Sequence, residues 1–171
     1  MGLFNELRKK IFGENNVHNV SISIQSVECN GLTDTDRLLE RAETADKIRN
    51  RYRDIIDLHN DYWERYEKLY SVLLNGNLLQ TPKAIELITL IQADIDIAPQ
   101  WRQMDMEMSK VYERTPQKYY PAFVRMALVY EKRGEYENAI SICQQAINMG
   151  FDNDKTKGGM QGRIARLCKK A

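Results

Sequence analysis

Apolar residues return every three or four positions along most of this chain, which is the period of helices with one buried face. From Asp34 to Leu74 no glycine or proline intervenes, and the stripe runs Leu38, Ala42, Ala45, Ile48, Tyr52, Ile55, His59, Tyr62, Tyr66, Leu69, Leu73. The spacing predicts one helix of about 40 residues and roughly 60 Å, or two helices that separate near Asn60. Thr33, with Asp36 three residues later, has the pattern of a capping box at its start. A helix this long must cover its apolar stripe, either with a partner helix in a dimer or with the rest of the chain folding back.

Beyond it, Asn75-Gly76-Asn77 is a stop and Thr81-Pro82 a start. The next helix runs to about Asp96 with Ala84, Ile85, Ile88, Leu90, Ile91 and Ile95 as its apolar set, and Pro99 opens another that carries Trp101, Met104, Met108, Val111 and Tyr112. Together they predict an antiparallel hairpin over 81–114. Thr115-Pro116 and Pro121 separate it from a second hairpin over 119–148, and a last helix over 157–170 sets Met160, Ile164, Leu167, Cys168 and Ala171 on one stripe as a cap. Ahead of all this, residues 1–32 form an arm. Leu3, Phe4, Leu7 and Ile11 make a short amphipathic helix over 2–12, and Val20, Ile22 and Ile24 alternate with Ser21, Ser23 and Gln25 as a half-buried strand does. No second strand is legible, so 17–27 either pairs with another copy or a partner, or is an extended linker. The fold class is all-α: antiparallel helical hairpins over 33–171 with an extended N-terminal arm.

Charge adds an asymmetry. The net charge is +1, yet Lys155, Lys157, Arg163, Arg166, Lys169 and Lys170 stand in a tail with no acidic residue, against 19 basic and 24 acidic residues before it. These six are candidates for an anion or nucleic-acid contact, or else a solvated face. Lys47, Arg49, Arg51 and Arg53 form a second basic cluster, and aromatic interleaving for base stacking is poor in the tail. Cys29, Cys143 and Cys168 show no metal-ligand spacing; Cys143 and Cys168 fall on apolar stripes and are expected in the core, and the pattern suits a reducing, cytoplasmic compartment. No apolar run is long enough to span a bilayer. The helix over 2–12 has the composition of a surface-lying segment, so peripheral membrane contact is one option for it. The strand-like arm and the long helix both suggest self-association.

The stretch Tyr120 to Asn153 resembles a tetratricopeptide repeat: Phe123, Met126-Ala127 and Tyr130 in the first helix, Gly134 and Tyr136 at the turn, Ala139, Cys143 and Ala146 in the second. Residues 62–74 and 82–97 are similar to a degenerate earlier repeat, and the ending TKGGMQGRIARL resembles endings of small bacterial repeat proteins. The resemblance implies a short α-solenoid that binds a protein segment along the first helices of its repeats. By match, its groove positions are Val124, Arg125, Leu128 and Glu131, with Pro121 beside them. An apolar helix or extended segment fits this set better than a terminal carboxylate does.

Catalytic patterns are sparse. His59 lies on a helix stripe with no sequence-fixed Asp or Ser partner and reads as structural or surface. Asp94/Asp96 and Asp105/Glu107 are two residues apart, so on a helix they point away from each other. Asp152 and Asp154 read as caps of the last helix. Gly158, Gly159 and Gly162 either expose backbone N–H groups to an anion or let the last helix lie close on Ala139 and Ala146. The chain reads as a non-enzymatic adaptor or scaffold with no metal and no cofactor; the alternative is an accessory protein that meets nucleic acid or another anion through its basic last helix.

Overall fold

Thr33 and Asp36 cap each other: Thr33 Oγ1 accepts from the Asp36 N–H at 3.2 Å, and Asp36 Oδ2 accepts from the Thr33 N–H at 3.0 Å. This box starts α1 (Asp34–Arg51). The computed structural model describes residues 33–171; the arm with its helix over 2–12, its strand-like 17–27 and Cys29 lies outside the described residues. After α1 follow α2 (Arg53–Asn75), α3 (Ala84–Asp96), α4 (Ala98–Val111), α5 (Pro121–Arg133), α6 (Tyr136–Asn148) and α7 (Gly159–Leu167). The chain is all-α, with no strand among the described residues, and none of these helices is long and apolar enough to cross a membrane.

The long helix divides at Tyr52, not near Asn60. Tyr52 leaves helical geometry at φ −104° and ψ 18° while its N–H still reaches the Ile48 carbonyl at 3.1 Å. Arg51 and Tyr52 both bind the Glu107 carboxylate on α4, each at 2.9 Å, and this shared anchor holds the bend. The expected hairpin over 81–114 is corrected. Only Ile97, in right-handed helical conformation, joins α3 to α4, and one such residue does not reverse a chain. The two helices instead continue end to end. α3 packs on α2 and α4 on α1, so that 34–75 runs out and 84–111 runs back along it. Arg41 meets Glu113 near one end and His59 meets Asp94 near the middle, which fixes the antiparallel register. The apolar stripe of the long helix is thus covered by the same chain. Leu38 and Leu39 stay 65% and 60% exposed because α4 ends before reaching them.

The second hairpin lies against the first. α5 packs on α3 and on α6, and α6 on α7. Ala122, Ala127, Ala139, Cys143 and Ala146 are fully buried, and such small side chains let helices approach closely. Burial also pushes the Cys143 thiol up to about 11. Cys168 is exposed, against expectation. The inward stripe of α7 is Met160, Arg163 and Leu167, and Cys168 lies about 100° around the axis from Leu167.

Two glycines are required for different reasons. Gly134 ends α5 at φ +76° with open space where a Cβ would sit. Gly159 has φ +57°, and a Cβ there would overlap the Asp152 carbonyl oxygen. Gly134→Ala is expected to cost about 1 kcal/mol from backbone conformation alone. Gly159→Ala must also push the backbones of Gly159 and Asp152 apart, and is expected to cost at least twice as much. Urea unfolding of the two variants checks the order, and equal midpoints would refute it.

Candidate functional site

Three of the four expected groove residues come together. Val124, Arg125 and Leu128 on α5 line a groove of about 260 Å³ with Pro121 and Tyr119 at the start of that helix. Trp63 and Glu67 of α2 form the facing wall, and Lys155 closes one end. A neighbouring, more apolar hollow of about 440 Å³ continues past Trp63 to Asn60, Glu64 and Lys68. Trp63 is 47% exposed between the two. Arg125 forms the floor rather than a reader: Nε and Nη2 donate to Glu67 Oε1 at 2.8 and 2.6 Å, and the guanidinium lies 4.0 Å from the Tyr70 ring centroid. A bidentate pair stacked on an aromatic face is rigid.

Glu131 is placed elsewhere. It accepts from Arg163 Nη1 at 3.1 Å and from Lys170 Nζ at 2.7 Å, joining α5 to α7. The Lys170 hydrogen bond holds its carboxyl below the usual range against partial burial, and Arg163 adds to the effect.

Three of the six basic residues of the tail, Arg163, Arg166 and Lys170, are paired within the fold, and of the six only Arg163 is buried. The Arg163 Nε donates to the buried Asp154 at 2.8 Å. Arg166 donates to the Lys157 carbonyl at 3.2 Å and to Thr156 Oγ1 at 2.9 Å. Lys155, Lys157 and Lys169 are exposed and take no part in these pairs. The glycine cluster does not present an open helix start either, because the Gly159 and Met160 N–H groups donate to the carbonyls of Thr156 and Asp152. Close approach to the loop before α7, not to Ala139 and Ala146, is what these glycines serve; a Cβ on Gly162 would meet the Lys157 carbonyl oxygen at 2.6 Å. Asp154 caps no helix. Its Oδ1 takes the Thr156 N–H at 2.9 Å and its Oδ2 takes Arg163, while the N-cap of α7 is Gly158, with no side-chain cap.

A buried polar cluster lies where α2, α3 and α5 meet. His59 Nδ1 is 2.7 Å from Asp94 Oδ1, the Tyr120 hydroxyl donates to the same oxygen at 2.7 Å, and the His59 ring stacks on Tyr120 with centroids 4.9 Å apart. Trp101 covers another side of the imidazole at 4.3 Å. Burial, with the charge of Asp94 added, pushes the hydroxyls of Tyr66 and Tyr120 up. His59 is 6% exposed, so this cluster fastens helices together instead of opening to solvent. His59 therefore does have a carboxylate partner, one that its sequence position does not disclose. Asp105, expected to point away from Glu107, is likewise buried and holds the loop after α4 through Arg114 and the Gln117 N–H, at 2.7 and 2.6 Å.

Trp63, Glu67, Tyr119 and Lys155 were not expected from the sequence as groove walls. The available signal is the stripe of α2 bordering the buried Tyr66 and Tyr70, where Asn60, Trp63 and Glu67 recur at helical spacing. Comparison of the chain with protein-family models, with curated proteins and with solved structures found no match.

Proposed function

We propose that this protein is a non-catalytic adaptor that holds a segment of another protein in the groove between α2 and α5, on a short tetratricopeptide-like stack. The observation that carries the reading is an exposed tryptophan, Trp63, set opposite Val124 and Leu128 over a floor locked by Arg125 and Glu67. Tryptophan is strongly enriched among the residues that dominate protein–protein affinity, and a rigid floor keeps low the entropy lost on binding. Two antiparallel pairs support the repeat-like aspect of the reading: α2 with α3, then α5 with α6, closed by α7. α4 departs from such a stack because it follows α1.

A photoreactive benzoylphenylalanine at Trp63 tests the groove, with the same group at Val72 as control. Val72 is 64% exposed and about 180° around α2 from Trp63. The groove reading expects a discrete protein adduct from position 63, absent from position 72 and weakened by Leu128→Ala. Adducts that are equal from both positions, or unmoved by Leu128→Ala, would count against it.

A further inference from the structure

We propose that the segment held in the groove carries an acidic side chain beside a bulky apolar one, and that Lys155 reads the acidic group. The inference rests on the groove reading above and names its partner's chemistry.

The charges around the groove cancel except at one place. Arg125 and Glu67 neutralise each other, and Lys68 pairs with Glu64 at 2.6 Å. Lys155 has no carboxylate partner among the described residues; its ammonium lies 4.0 Å from the centroid of the Tyr119 ring, at the groove's end. The groove therefore offers an apolar wall of Trp63, Val124 and Leu128 and one uncompensated, positioned cation. An acidic side chain complements it through a charge-assisted hydrogen bond.

The backbone gives an independent indication. Lys155 sits at φ +63°, a left-handed conformation that glycine adopts freely and a lysine adopts at a cost. The conformation is fixed by the Lys155 N–H donating to Asn153 Oδ1 at 2.8 Å, next to the Asp154–Thr156 turn. Lys155 shares this strain with Asn77 and Glu113, but it alone of the three lines the groove, and backbone strain of this kind clusters at binding sites. Tyr119 restricts where the ammonium can lie, so some of the ordering needed for recognition is already in place.

The test is selection of random twelve-residue displayed peptides on the full-length protein, followed by affinities of the enriched peptides. The expected result is that enriched peptides pair Asp or Glu with Trp, Phe or Leu. Lys155→Gly should bind them about tenfold more weakly while unfolding at the same or a higher temperature. Lys155→Glu should reverse the preference toward basic peptides. If enriched peptides lose affinity in Trp63→Ala yet show no acidic preference and bind Lys155→Gly unchanged, the Lys155 inference is overturned and the groove reading stands. If no enriched peptide depends on Trp63 or Leu128, the groove reading fails and this inference fails with it.

Discussion

Asp94→Ala is expected to lower the stability of this protein by about 3 kcal/mol, roughly a 10 °C fall in Tm. Asp94 is fully buried, and one of its oxygens serves both His59 and Tyr120, at 2.7 Å each. Truncation leaves two buried polar groups without their acceptor and opens a cavity between α2, α3 and the start of α5, so both penalties act together. Tyr120→Phe removes a single hydroxyl and is expected to cost about 1 kcal/mol. Thermal unfolding followed by circular dichroism measures both. An Asp94→Ala protein that melts within a degree of wild type would mean that the cluster does not fasten these helices.

Arg163→Ala is the second large effect expected, at about 3 kcal/mol. The guanidinium is the buried link between Asp154 and Glu131, and without it the buried Asp154 carboxylate keeps only the more distant, half-exposed Arg166, at 4.0 Å. The pH dependence follows from the same contacts. Burial raises the Asp154 carboxyl, but hydrogen bonds from Thr156 and Arg163 outweigh it and leave it below its ordinary value. Glu131 is lowered as well, chiefly by Lys170. A carboxyl lowered in the folded state contributes stability that is fully present above its unfolded value, near pH 4, and is lost as pH falls through the folded one. Wild type is therefore expected to lose this stabilisation below about pH 4. Arg163→Ala should show a shallower acid limb, because its carboxyls titrate nearer their ordinary range. Urea midpoints across pH 2–7 for both proteins check this, and parallel curves would contradict it.

Helices were legible where punctuation is local. The Thr33–Asp36 box, Gly134 at left-handed φ and the small residues of α5 and α6 each state their conformational role within a few positions. Direction of travel was not legible. Pro99 marks a helix start, yet it sits in the first turn of α4, where proline permits the path of α3 to continue as readily as to reverse. His59 and Asp94 are 35 residues apart, a distance at which no spacing rule speaks. Arg163 misled for a different reason. Read among six basic residues it looks solvated, yet it lies three residues after Met160 and four before Leu167, squarely on the buried stripe of α7. Stripe membership decides burial there, and the paired acids Asp154 and Glu131 make it affordable. Of the groove, the α5 side came from the repeat resemblance; the α2 wall and Lys155 depend on tertiary packing and the loop before α7.

The most direct test of the adaptor account is the affinity of groove-selected peptides for wild type and Trp63→Ala side by side, with Tm recorded for both. Trp63 is half exposed and outside the core, so truncation should leave Tm within a few degrees. The account predicts at least about a tenfold loss of affinity at that nearly unchanged Tm. Equal affinity for the two proteins would contradict it.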